Sequence, residues 1–577
     1  MDGTKTSEEK KSETVRCKED NSNKSSPNDL SDSKIEEFSV DDDRIVDNTE
    51  VEFDDLLSSA GELGLYQIML FFSTFPFYMF VVVAYYLQLF LTEVSPNHWC
   101  WIPELENLTD IERRSLAIPP DMRLTPNESW PTTKCQYGWE FNKTEIPYPT
   151  ISSEMGWVCD KDSYQATAQS IFFVGSICGG IVIGLISDRF GRLAATLVST
   201  MFGLVGGIAT MFVSNFTEFA ICRFVAGIAY DNCGIMFYLL ILEYVAPRYR
   251  SLIGNASFAI FYTISVTALP WVVLACGHWK TILLVTSLPF ATAILVPFVL
   301  PESPRWLLSR NRIDEAVEKV LSIGRINKKK VPPKLVEQFK QSVSRQKKKG
   351  NAGNMIDLMK RPLLRNMFIG MCVLYATGAL VFDGLIRSIG QLKFDFFISF
   401  SVISVTEFPA VFILAFIMDK IGRRWMVAVT MATTGVFSIL SVFVSGVLES
   451  VVCAVIARFC MNMAYSTVMQ WSAEMLPVSV RGFGVSMIHT VAFIGYLSSP
   501  MVSYLETYVY WLPLVLIGSI ASFCGVIALT LPETAGKEMP VTFEDAERLI
   551  RQQTFWDIPC LSKKVQKDSG QVNESYE

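Results

Sequence analysis

Long apolar stretches alternate with short polar ones along this chain, twelve times in all. Each stretch is long enough to cross a hydrocarbon layer of about 30 Å as a helix. They run over about Tyr66–Leu91, Tyr164–Ser187, Leu193–Val213, Glu218–Val245, Leu252–Cys276 and Thr281–Leu300. The second set covers about Leu364–Ile389, Phe396–Asp419, Trp425–Val447, Ser450–Trp471, Val485–Tyr504 and Trp511–Leu531. Polar segments divide the chain into a tail, 1–60, a bundle, 61–300, a linker, 301–361, a second bundle, 362–531, and a tail, 532–577. The first bundle is interrupted by one large loop, 92–163. The pattern predicts an all-α membrane protein with twelve transmembrane helices in two six-helix bundles.

Residues 1–60 are rich in Lys, Glu, Ser, Asp and Asn, as disordered segments are. Inside this tail Val51–Leu57 reads as a short amphipathic lead-in to the first span. In the linker, Arg312–Leu321 has helical spacing.

The two halves repeat. Gly184–Arg192 (GLISDRFGR) returns 231 residues later as Ala415–Arg423 (AFIMDKIGR). The same offset carries Asp188 onto Asp419, Arg192 onto Arg423, Glu243 onto Glu474 and Arg250 onto Arg481. It also carries Leu300-Pro301-Glu302 onto Leu531-Pro532-Glu533. One offset shared by landmarks this far apart marks a duplicated unit. Gly191 and Gly422 permit a tight turn between spans. Arg189 and Arg192 beside the turn belong on the cytosolic side, where cationic residues in short loops set topology.

Composition agrees with a membrane protein. Half of the chain is hydrophobic, and 19% is charged, against roughly 25% in soluble domains. The basic runs Lys328–Lys330 and Lys347–Lys349 lie close to spans and place the linker in the cytosol, with no nucleic-acid role implied. No signal-peptide pattern is present. An even number of spans then puts both termini in the cytosol. The large loop carries sequons at Asn107, Asn127 and Asn142, which favour an extracellular face. Its three cysteines, Cys100, Cys135 and Cys159, permit one disulfide with a thiol left over, or three free thiols.

The duplicated charged turn, the Glu243–Arg250 and Glu474–Arg481 pair, Pro301–Leu308 (PESPRWLL) and the loop beginning His98-Trp99-Cys100 together resemble a known family. That family is the major facilitator superfamily, in its organic cation/anion/zwitterion branch, solute carrier family 22. The resemblance runs from about Phe53 to Glu547. It implies two bundles around a central cavity opened alternately to either face, and a disulfide between Cys100 and Cys135. It also implies that the charged turns (Asp188, Arg189, Arg192, Glu243, Arg250 and Asp419, Arg423, Glu474, Arg481) act as cytosolic latches of the outward-facing arrangement.

Ionisable side chains inside spans are costly and need a partner or a function. Glu407 and Arg458 lie at similar depth and predict an ion pair with a structural or gating role within the second bundle, with direct substrate contact as the alternative. Asp231 sits mid-span where the family's cation transporters resemble this region but carry a basic residue. It either favours a cationic group or pairs with Arg458 or Arg223. Asp383 either faces the cavity or pairs with Arg387 four residues on. Tyr375 and Phe382 align with aromatic cavity positions and suit cation–π contact with an ammonium. Phe493 stands where the family's cation transporters carry an acidic residue and its anion transporters a basic one. His489, one turn earlier, is either proton-sensitive or a packed polar group.

The expected activity is transport of small organic cations or zwitterions, such as amines and carnitine- or betaine-like compounds, across the plasma membrane. The partners expected are that organic ion and the bilayer, with no cofactor or metal; facilitated and Na⁺- or H⁺-coupled movement are both compatible. Two alternatives stand: an organic-anion carrier, and a non-transporting receptor or scaffold. No nucleophile motif or metal-spaced His/Cys cluster supports an enzyme.

Overall fold

The computed structural model describes residues 51–92, 98–117, 135–346, 355–391, 394–537, 539–540 and 542–553. For Asp231 and some other helical residues it describes the backbone alone. The first helix, α1 (Phe53–Ser59), precedes α2 (Leu65–Thr92). In the loop come β1 (His98–Cys100), α3 (Asp110–Ala117), β2 (Trp139–Phe141) and α4 (Ile151–Met155). The first bundle continues with α5 (Ser163–Phe190), α6 (Arg192–Thr210), α7 (Phe216–Glu243), α8 (Pro247–Ser257), α9 (Thr263–Cys276), α10 (Trp279–Ser287) and α11 (Val296–Val299).

The connecting segment is helical too: α12 (Pro304–Ser309), α13 (Ile313–Ile326), α14 (Pro333–Gln346) and α15 (Met355–Lys360). The second bundle holds α16 (Pro362–Arg387), α17 (Phe396–Val405), α18 (Glu407–Ile421), α19 (Arg423–Phe443), α20 (Val447–Met475), α21 (Val478–Tyr504) and α22 (Leu512–Thr530). A last helix, α23 (Phe543–Arg551), follows it.

Among the described residues, ten helical stretches are long and apolar enough to cross a membrane. The 28-residue α2 and the broken α10–α11 rod complete the twelve spans. Three spans depart from the continuous helices that their apolar patterns predict. A π-helical turn at Phe258–Tyr262 joins α8 to α9, and a 3-10 stretch at Leu288–Leu295 joins α10 to α11. The span over Phe396–Ile421 is offset at Thr406, where α18 begins with buried Glu407. Close helix approach inside the bundles relies on glycine. A methyl group on Gly227 would run into the Phe172 carbonyl, and one on Gly175 into that of Phe224, so α5 and α7 touch backbone to backbone.

The segment next to the first span is part of the fold. Leu56, Leu57 and Ala60 are buried against Val317, Val320 and Ile323 of α13 and Phe339 of α14. Asp54 is gripped by Arg250, at 2.6 Å, and by Arg305. Burial raises its pKa, but the hydrogen bond from Arg250 and the Arg305 charge outweigh that and hold it below the usual carboxylate value. Asn327 ties the same corner together, donating to the Ala60 carbonyl at 3.1 Å and the Gln67 side chain at 3.0 Å.

Candidate functional site at the seam between the bundles

Each charged turn is completed by a carboxylate from far along the chain. Gly191 adopts φ +105° and Gly422 φ +91°, letting α5 reverse into α6 and α18 into α19. Glu302 accepts from the backbone N–H groups of Arg192 (2.9 Å) and Leu193 (3.3 Å). Glu533 does the same for Arg423 and Arg424, both at 2.9 Å. An anion therefore sits on each helix N-terminus, where the orphan donors and the macrodipole favour it.

Around these caps, Arg192 reaches Asp188 (3.6 Å) and Glu243 (3.4 Å), and Arg423 reaches Asp419 (2.7 Å) and Glu474 (2.9 Å). All these partners belong to the same half of the chain. Arg189 is exposed and lies over the ring of its neighbour Phe190. Arg250 turns to Asp54 and the Val245 carbonyl, and Arg481 to the Leu476 and Pro540 carbonyls.

The bundles meet through aromatic side chains. Tyr85 of α2 stacks on Tyr230 of α7, with ring centroids 4.7 Å apart, and meets Tyr496 of α21 edge-on at 6.4 Å. Phe173 stacks on Tyr496 at 5.6 Å. From the second bundle Tyr375, Phe382 and Tyr465 close the cluster, and the Tyr465 and Tyr496 hydroxyls lie 2.8 Å apart. Phe493 is buried between His489 and Tyr496, at 5.8 Å from each.

Charge enters this apolar seam in neutralised form. Asp383 is fully buried and takes a hydrogen bond from Arg387 Nε at 2.6 Å and another from the Tyr85 hydroxyl across the seam. Arg458 lies 3.8 Å from Glu407, donates to the Phe382 carbonyl, and stacks over the Phe382 ring at 3.9 Å. Arg458 is thus engaged by Glu407; the side chain of Asp231 lies outside the described residues.

The seam is closed at one end. Within the described residues, Tyr85–Asp383, Ser170–Leu497 (3.1 Å) and Ser401–Thr267 (3.4 Å) are hydrogen bonds from bundle to bundle. All three lie near the helix ends that carry the large loop. Phe90, Phe396, Phe397, Phe400 and Tyr148 pack over them. In the loop itself, β1 pairs with β2, and Cys100 is bonded to Cys135 with Cα atoms 5.2 Å apart. Cys159 is a free, exposed thiol. Asn107 is exposed, and the Asn142 side-chain Oδ1 accepts from the Thr144 hydroxyl at 2.7 Å. Asn127 lies outside the described residues.

Residues 131–548 match the family described as "Sugar (and other) transporter". Over 441 residues the chain is 30% identical to human solute carrier family 22 member 2, covering 75% of this chain and 78% of the relative. The chain belongs to solute carrier family 22 of the major facilitator superfamily. A carcinine transporter of Drosophila melanogaster is 29% identical over 551 residues, covering 89% of this chain and 82% of the relative. Organic cation transporter 1 of Caenorhabditis elegans is 27% identical over 559 residues, covering 91% of each chain. The fold is that of the xylose transporter XylE from E. coli in a partially occluded inward-open conformation, with TM-score 0.56 at 15% identity. That match covers 84% of this chain and 99% of the other.

Two groups of residues in this solute carrier family 22 member escape a reading of the sequence. Glu302 and Glu533 are visible as landmarks of the repeat, but their role as helix caps depends on a contact over 110 residues. Tyr85, Tyr230, Tyr465 and Tyr496 sit in four different spans. Their one sequence signal is depth, because span tyrosines are enriched at the membrane interfaces.

Proposed function

We propose that this transporter carries small organic cations or zwitterions across the plasma membrane, alternately exposing the seam to each face. The observation that supports this reading is the convergence of Tyr85, Tyr230, Tyr375, Phe382, Tyr465 and Tyr496 between the bundles. Aromatic faces attract an ammonium by about 0.5–2 kcal/mol each, more as water is excluded. Both buried ion pairs at the seam are internally neutral, and the attraction falls to the tyrosines, since Arg458 already covers one face of the Phe382 ring. Asp231 supplies the further carboxylate, worth about 4 kcal/mol at ~4 Å before desolvation.

In this reading the large loop is extracellular and glycosylated, both termini are cytosolic, and the closed end of the seam is the outer mouth. Asp383 then joins substrate binding to gating, since opening the outer mouth frees its bond to Tyr85. The duplicated turns hold each bundle rigid at the cytosolic face and latch the two together when that face closes.

The test is uptake by cells expressing the full chain, competed by a quaternary ammonium compound or by an aromatic carboxylate. The ammonium compound should inhibit. Inhibition by the carboxylate alone would replace this reading with the organic-anion one. Ligand binding without flux in reconstituted vesicles would favour a receptor.

A further inference from the structure

Arg223 is a buried charge that plays no part in the seam. It lies in α7 about two turns below the end at Phe216 and is 2% exposed. Its guanidinium sits 5.6 Å from the Phe219 ring, and its Nε makes no hydrogen bond. Among the described residues no carboxylate pairs with it. Arg423 and Arg458, also buried, each face one, as does the partly exposed Arg387. A lone charge at this depth of a membrane costs several kcal/mol unless something compensates it.

The Arg223 side chain forms part of the wall of a small cavity inside the first bundle. The other walls come from Ala84 of α2, Gly203 and Gly207 of α6, Ser287 of α10 and Phe290 beyond it. The cavity measures about 20 Å³, which admits one occupant the size of a water or a single atom. Gly207 leaves the space for Ser287, since a methyl group there would run into the serine hydroxyl.

We propose that this cavity is a binding site for one monatomic anion, chloride in physiological media. The Arg223 guanidinium supplies the charge and the Ser287 hydroxyl a further donor. The anion would neutralise the arginine and tie α7 to α6 and α10. Tyr230, which stacks on Tyr85 in the seam, also lines the cavity, so the anion would brace the first bundle beside an aromatic wall of the seam.

The test is thermal unfolding of the purified full chain in sodium chloride against sodium gluconate at equal ionic strength. The wild type should show saturable stabilisation by chloride. At ten times the midpoint concentration, the unfolded fraction should fall about elevenfold. Arg223→Met should be indifferent to the anion, and Gly207→Ala, which keeps the charge but crowds the wall, should raise the midpoint. Equal stability of the wild type in both salts would overturn the proposal. So would an undiminished chloride effect in Arg223→Met. Should neither variant fold, bromide soaked into wild-type crystals decides the matter. Anomalous density beside Arg223 supports the site, and an adventitious ion elsewhere only overturns it.

Discussion

Tyr85→Phe removes one hydroxyl from the seam and nothing else. That hydroxyl donates to Asp383, which is fully buried, across the boundary between bundles. The bond exists only while the loop end is closed, so its loss raises the energy of that state alone. A buried hydrogen bond to a charged group contributes about 1.5–3 kcal/mol. The lower end applies, because Arg387 continues to hold Asp383. A change of about 1.4 kcal/mol moves the balance of states tenfold toward the open outer mouth. A cysteine at Ser401, whose hydroxyl reaches the Thr267 carbonyl at the same end, reports the opening. On a Cys159→Ser background, a membrane-impermeant maleimide should label Ser401→Cys about tenfold faster when Tyr85→Phe is added. Equal labelling rates at matched surface expression would show that this bond does not bias the cycle.

Three further outcomes follow from the geometry. Asp383→Asn strands Arg387 in the seam and should cost about 3–5 kcal/mol, seen as poor surface expression. Asp383→Asn with Arg387→Gln should recover expression; failure to recover would point to the Tyr85 bond as the larger loss. Asp54→Asn should loosen α1 and lower the melting temperature of the purified chain. Because the folded carboxyl titrates below its unfolded value, Asp54's contribution is complete above the unfolded pKa, about 3.9, and fades only as pH falls through the lower folded one. The wild-type–mutant difference should therefore be flat from about pH 5 to 8, and a difference that changed across that range would assign the effect to another group. Glycosidase should shift the mobility of the wild type but not of a variant lacking Asn107, Asn127 and Asn142. A residual shift would implicate a sequon such as Asn215-Phe216-Thr217, whose asparagine caps α7 by accepting from the Glu218 N–H at 3.0 Å.

How much was legible in the sequence varies by the range of the interaction. The spans were readable because a membrane demands some twenty apolar residues in a row; the observed α5 extends its apolar run by a few residues and α7 is shifted from its run by two. The pairs Asp383–Arg387 and Glu407–Arg458 were readable because helical spacing and depth bring them together. The breaks at Phe258–Tyr262 and Leu288–Leu295 were hidden, since an apolar run looks the same whether its backbone is α, π or 3-10. The docking of α1, α14 and α23 was hidden for another reason. Phe53 against Phe339 and Arg361 against Glu544 are tertiary contacts, although the Thr542–Asp545 capping box announces where α23 begins. The tyrosines of the seam come from spans whose order in space the pattern does not state.

The two kinds of contact divide the labour of transport. Within each half, a buried or half-buried carboxylate caps a helix while an arginine bridges two acids, and the halves repeat this arrangement residue for residue. Such networks are costly to break, so each half moves as one body. Between halves the described residues include three hydrogen bonds, set among aromatic and aliphatic packing. A link of that size is worth a few kcal/mol at most. A ligand shifts a two-state balance only by its difference in affinity for the states, and about 5.5 kcal/mol reverses 1:99 to 99:1. In the proposed reading, several aromatic faces and one carboxylate acting on an ammonium would supply an energy of that order. Rigid halves joined by a weak seam would allow a small substrate to move a protein of 577 residues.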